Sequence, residues 1–231
     1  MRNKIYIMDE FKDGFSGRLE EILERIKVYI IGLFYPAALS IIIPHTFLDL
    51  VKFIAIIVAG IPHECGHFIF FIIGFILGIL GFDIPRAKWF QFLAVLGGSL
   101  GYTLVPLFLF VYYALKKKDG VAASAYLGFL AISVDHMAWY CGDAVNWSGP
   151  ILGTENTIAL IHDWYFMLTY LNLIDKASMI SNFFYTMGRI IALVAVISGT
   201  IEFITMVIKK ESHYNLNLLI ALILALIISF I

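Results

Sequence analysis

The residues with the clearest capacity for chemistry are His63-Glu64-Cys65-Gly66-His67. His63 and His67 are four residues apart in an apolar run with helical character. At about 100° per residue they lie about 40° apart on one face, separated by one turn of rise. Two imidazoles so placed can share one tetrahedral zinc, at Zn–N distances of about 2.0–2.1 Å. Glu64 falls beside them, suited to take a proton from a zinc-held water rather than to bind the metal. Zinc brings the pKa of such a water to about 7. H-E-x-x-H on a helix is the signature of that arrangement. Ionisable groups at mid-membrane each cost about 2.5–3.5 kcal/mol, so three within five residues call for a compensating cation. The competing reading is a polar helix-packing cluster without metal. Cys65 points away from His63 and is expected to be a small buried residue.

A catalytic zinc takes a third protein ligand and keeps one position open. The stretch Ser133 to Asp143 supplies candidates: Asp135, His136 and Asp143, with Cys141 as a thiolate alternative. Asp143 is preferred because Gly142 beside it permits close backbone approach. Asp135 and His136 then become residues that orient the ligands. A loop or helix-cap role for Asp143 is the structural alternative. His162 and Asp163 precede Trp164 and Tyr165, which reads as an interfacial segment with aromatic anchors.

With two histidines in an apolar helix, a glutamate between them and a downstream aspartate, the sequence resembles the site-2 protease family of intramembrane zinc metalloproteases. Gly66 before the second histidine fits the family's His-Glu-x-Gly-His form. Gly97-Gly98-Ser99-Leu100-Gly101, followed by Pro106, is similar to the glycine-bearing segment that the family places between its metal-binding helices. The likeness covers roughly residues 50–150. It implies Zn2+ on His63, His67 and Asp143, Glu64 as general base, and a transmembrane protein or peptide as substrate. Around the third ligand many members carry Asn-x-x-Pro and Asp-Gly, where this chain has Cys141-Gly142-Asp143-Ala144-Val145-Asn146. That departure marks a divergent member. Gly97–Gly101 is expected either to offer backbone to an extended substrate or to pack closely on a neighbouring helix.

The elements that must position these residues are membrane helices. The 231-residue chain is 61% hydrophobic and 14% charged, against about 25% charged in soluble domains. Its mean hydropathy is +0.90. The net charge of -1 and the absence of a basic face exclude a nucleic-acid partner. The fold expected is an all-α, polytopic membrane helix bundle of about six transmembrane helices, integral and multi-pass, in the cell membrane.

About 20 apolar residues cross a bilayer. Candidate crossings are 27–44, 51–82, 89–115, 121–141, 157–174, 188–208 and 216–231, with 157–174 interrupted by His162 and Asp163. The run 51–82 exceeds one straight crossing and is expected to kink or restart at Gly60 and Pro62. Residues 1–27 read as a charged amphipathic segment at the membrane surface, and 28–231 as the transmembrane metalloprotease-like domain. Lys116–Lys118 and Lys209–Lys210 are expected on the cytoplasmic side, as are the six basic residues before Val28. Two other functions use the same residues: zinc-dependent hydrolysis of a lipid-like substrate, and metal or proton transport.

Overall fold

A computed structural model describes residues 22–23, 26–27, 29–44, 48–83, 87–145 and 163–209, with side chains as far as 205. Among these residues the protein is all-helical, with no strand. The elements are α1 (Tyr29–Ile42), α2 (Leu48–Ile79), α3 (Lys88–Val111), α4 (Gly120–Asp143), α5 (Asp163–Tyr170) and α6 (Ala177–Lys209). Four helical stretches are long and apolar enough to cross a membrane: α2, α3 with its π-helical extension to Lys117, α4, and the stretch Ile174–Thr205 that holds most of α6.

Of the expected 27–44 crossing, the described residues show the apolar helix α1. Of 157–174, the described part is the short α5 and the turn after it. Residues 216–231 and nearly all of 1–27 lie outside the described residues. Two boundaries differ from expectation for identifiable reasons. α2 runs unbroken for 32 residues with Pro62 inside it, rather than restarting there. α6 begins eleven residues before the apolar run at Gly188, because hydroxyls in its polar first half bond to helix carbonyls. Ser181 donates to the Ala138 carbonyl at 2.7 Å and Thr186 to that of Asn182 at 2.9 Å.

α4 is the central helix. Its Gly120, Ala122, Ala123, Ala125, Gly128 and Ala131 are all buried, and small residues let neighbouring backbones come close. A Cβ on Gly128 would crowd the Phe34 carbonyl of α1, and one on Gly188 would crowd the Asp135 backbone of α4. Asp119 caps α4 by accepting from the Ala122 amide at 3.0 Å.

Paired contacts fix the directions. Gly66 meets Gly97 while Pro62 meets Gly101, so α2 and α3 are antiparallel. Tyr113 stacks on Tyr126 and Tyr102 faces His136, so α3 and α4 are antiparallel. Ser124 meets Ser198 while Ala138 meets Ser181, and α4 and α6 are antiparallel as well. Lys116–Lys118 and the end of α6 at Lys209 therefore share one end of the bundle. Lys27 joins them through an ion pair with Asp119 at 3.0 Å. The three basic groups converge there.

Candidate metal centre

The site is built where α2 and α3 touch. Gly66 lies against the Gly97 backbone and Gly101 against the Pro62 carbonyl, with no room at either for a Cβ. Gly98 lies beneath the His63 and His67 rings, where a Cβ would overlap both. The Gly97–Gly101 segment is thus interior helix, engaged with α2, and offers no free edge to an extended peptide. Of its two expected roles, close packing is the one observed. That contact fixes the imidazoles, with ring centroids 4.6 Å apart and planes perpendicular.

Asp163, the first residue of α5, completes the group. His63 Nε2 and His67 Nε2 each lie 3.1 Å from Asp163 Oδ2, and the two nitrogens are 3.0 Å from each other. Ligands of a tetrahedral zinc stand about 3.3 Å apart, given bonds of about 2.0–2.1 Å. The observed triangle is slightly tighter than that. It is the only group of three or more His, Cys, Asp or Glu with such mutual distances among the described residues. The side chains of His63, His67 and Asp163 are 12%, 17% and 15% exposed, so water is largely but not wholly excluded.

Proton placement is decided by α3. His67 Nδ1 is 2.7 Å from the Ala94 carbonyl, which can only accept. Nδ1 therefore carries the hydrogen, and in the neutral ring Nε2 presents a lone pair to the triangle. This is how a metal-binding histidine is oriented by its other nitrogen. A neutral His63 with its hydrogen on Nε2 can donate it to Asp163 Oδ2 or to His67 Nε2, whereas a metal ion among the three atoms would be met by a lone pair from each. His63 Nδ1 is buried with no hydrogen-bond partner among the described residues, so His63 lacks the support that Ala94 gives His67.

The residues expected to supply the third ligand are elsewhere. Asp143 is the last residue of α4 and is not in the His63–His67 group; Asp163 stands where Asp143 was expected. Asp135 is ion-paired with Lys52 at 2.6 Å and lies against Gly188 of α6. His136 sits among aromatic rings, with Trp139 at 5.5 Å and Tyr102 at 5.7 Å, and Tyr102 in turn is 4.9 Å from His63. His136 is therefore one ring removed from the triangle. Cys141 is buried and directs its thiol to the Ala177 carbonyl, which removes it as a ligand. Cys65 is exposed, contrary to the expectation of burial.

Asp143 was preferred for Gly142 beside it, and helical spacing relates residues only along one helix. Asp163 reaches the histidines through α5, beyond a stretch that no period spans. The available signal was an acid embedded among Trp164, Tyr165, Phe166 and Met167. Glu64 is exposed on α2 and lies within electrostatic range of His67, Tyr102 and Tyr140. The backbone of Asp163 is hydrogen-bonded to the Tyr140 hydroxyl, which ties α5 to α4 beside the triangle. No protein-family model, curated protein or solved structure matches this chain.

Proposed function

We propose that this protein is an intramembrane zinc metalloprotease of the site-2 protease type, holding Zn2+ with His63, His67 and Asp163 and using Glu64 as general base. The observation that carries this reading is the convergence of His63 Nε2, His67 Nε2 and Asp163 Oδ2, with His67 turned by Ala94 so that a lone pair faces the other two. Three protein ligands, rather than four, suit a catalytic rather than a closed structural zinc. Bound there, zinc would polarise a scissile carbonyl and make water nucleophilic near neutral pH.

The remaining work belongs to the chain. Glu64 follows His63 directly, and its exposure leaves it free to accept a proton from water and return it to the leaving amine. Tyr102 and Tyr140 stand near that carboxylate and are suited to orient a substrate carbonyl. α3 holds His67 through Ala94, so the α2–α3 contact sets the angle at which the imidazole meets its ligand.

The site lies at mid-length of α2, which suits a substrate buried in the bilayer. The end bearing Lys27, Lys116–Lys118 and Lys209 is the cytoplasmic end under the positive-inside rule. A multi-pass protein of the cell membrane with about six crossings follows if the apolar runs 27–44 and 216–231 cross as well.

The test is hydrolysis of fluorogenic transmembrane peptides by protein reconstituted in liposomes, wild type beside Glu64→Gln. The rate should fall by about 10²–10⁴-fold in the variant, the usual contribution of a general base, with zinc content unchanged. Equal rates in the two proteins would refute the assignment. Cleavage of ester lipids but not peptides, with the same dependence on Glu64, would identify a lipid hydrolase instead.

A further inference from the structure

Arg189 stands at the midpoint of the stretch Ile174–Thr205, exposed, with no ion-pair or hydrogen-bond partner among the described residues. An arginine at mid-bilayer is costly, and such residues face a partner or a water-lined path. It is not isolated. Ser178, Asn182 and Thr186 are exposed too, and with Arg189 they recur at spacings of four, four and three. Helical geometry puts all four within an arc of about 80°. Thr186 donates to the Asn182 carbonyl at 2.9 Å, which leaves its oxygen able to accept, and the Asn182 side-chain amide can do both.

A lipid-facing helix surface is apolar, as α2 illustrates with exposed Ile57, Ile61, Phe68, Ile72, Phe75 and Ile79. The α6 stripe has the opposite character. Asp135, which lies against Gly188 next to Arg189 in the sequence, is committed to Lys52 at 2.6 Å, and no described acid forms an ion pair with Arg189. Tyr185, one turn before Arg189, feels both Asp135 and Arg189 and stands between them electrostatically.

We propose that this stripe of α6 is a docking face for a transmembrane helix carrying an acidic side chain at mid-depth, with Arg189 as its counter-ion and Asn182 and Thr186 as hydrogen-bonding partners. Charge complementarity names the occupant. Headgroup phosphates lie at the bilayer surface, whereas a carboxylate on a spanning helix can meet Arg189 at its own depth. Asn182 and Thr186 suit a helix surface, since interhelical polar contacts in membranes are made by such side chains. Ser181 and Gly142 place this half of α6 against the end of α4, next to α5 and Asp163. Identifying that helix as a substrate rests on the protease reading; its binding does not.

The test uses two labelled polyleucine helices, one with a central Glu and one with a central Gln. Each is mixed in liposomes with the full chain carrying Glu64→Gln, so that neither probe is consumed. Association is followed by energy transfer. The Glu helix should bind about tenfold more tightly than the Gln helix, since interhelical polar pairs contribute about 1–2 kcal/mol. Arg189→Gln should abolish the preference, and Arg189→Lys should retain most of it. Equal binding of the two probes, or a preference that survives Arg189→Gln, overturns the proposal. Equal probe binding together with loss of co-purified anionic lipid in Arg189→Gln would assign the face to lipid. Because the readout is independent of hydrolysis, a failed acid preference leaves the protease reading intact, and an inert metal centre leaves this one intact.

Discussion

The α2–α3 pair and the α4–α6 pair are both antiparallel apolar helices joined through small residues, yet they treat their polar groups in opposite ways. Of the spanning window in α4, 83% is buried; in α2 the figure is 17%. Where α4 meets α6 and α2, the buried polar groups of α4 have partners. Ser124 meets Ser198 at 3.0 Å, Ser133 donates to the Phe129 carbonyl, Ser181 to the Ala138 carbonyl, and Asp135 is paired with Lys52. In the α2–α3 pair they converge: the His63 and His67 nitrogens and Asp163 of α5 face each other across about 3 Å, and His63 Nδ1 has no partner among the described residues. Polar groups that complete one another inside a membrane hold helices together. Those that converge with lone pairs in excess need something from outside. The difference separates scaffold from site more sharply than composition does.

Substitutions at glycine and serine can break or sharpen that contrast. The largest effect is expected from Gly98→Ala. Its Cβ would overlap the ring ends of His67 and His63 rather than backbone, and side chains can swing aside where backbones cannot. The helices should stay packed while zinc affinity falls by about 100-fold or more, as befits displacement of ligands. Titration with a competing chelator reads the affinity, and circular dichroism on heating reads the fold. Loss of both together would make the glycine structural only. Gly66→Ala comes next. Its Cβ would run into the Gly97 carbonyl, so the helices must separate, at about 1–3 kcal/mol as for other overpacked contacts. Here thermal stability should fall first and zinc binding follow it. Ser124→Ala should do least. It removes the 3.0 Å contact with Ser198, an interhelical bond of a kind that averages about 0.6 kcal/mol in membranes. A small loss in unfolding free energy with unchanged zinc content is the expected outcome. A change in zinc binding there would mean that scaffold and site are coupled more tightly than their hydrogen bonds indicate.

How much of this could be read from sequence follows from the range of each signal. His63 and His67 were legible because their relation is internal to one helix. The glycines at 97, 98 and 101 were legible as a close-approach segment, though not which atoms they approach. That Gly98 lies under the imidazoles depends on the register between α2 and α3. Asp163 was the hardest to read. Its distance from the histidines is set by how α5 folds back between α3 and α4, so an acid on a regular helix, Asp143, looked the better ligand. The helical class and apolar spans were legible from hydropathy, yet two boundaries moved. Pro62 was tolerated inside α2, and hydroxyls bonded to carbonyls extended α6 through a stretch too polar to be recognised as a span. Lys27, tied to Asp119, lies at the same end of the bundle as Lys116–Lys118.

The most direct test of the central claim is zinc content per chain in detergent-purified protein, comparing wild type with Asp163→Asn, Asp143→Asn and His67→Ala. One zinc in the wild type and in Asp143→Asn, with loss in Asp163→Asn and His67→Ala, is the predicted result. Zinc retained in Asp163→Asn but lost in Asp143→Asn would return the third ligand to α4, and no zinc in any folded sample would contradict the metal centre altogether.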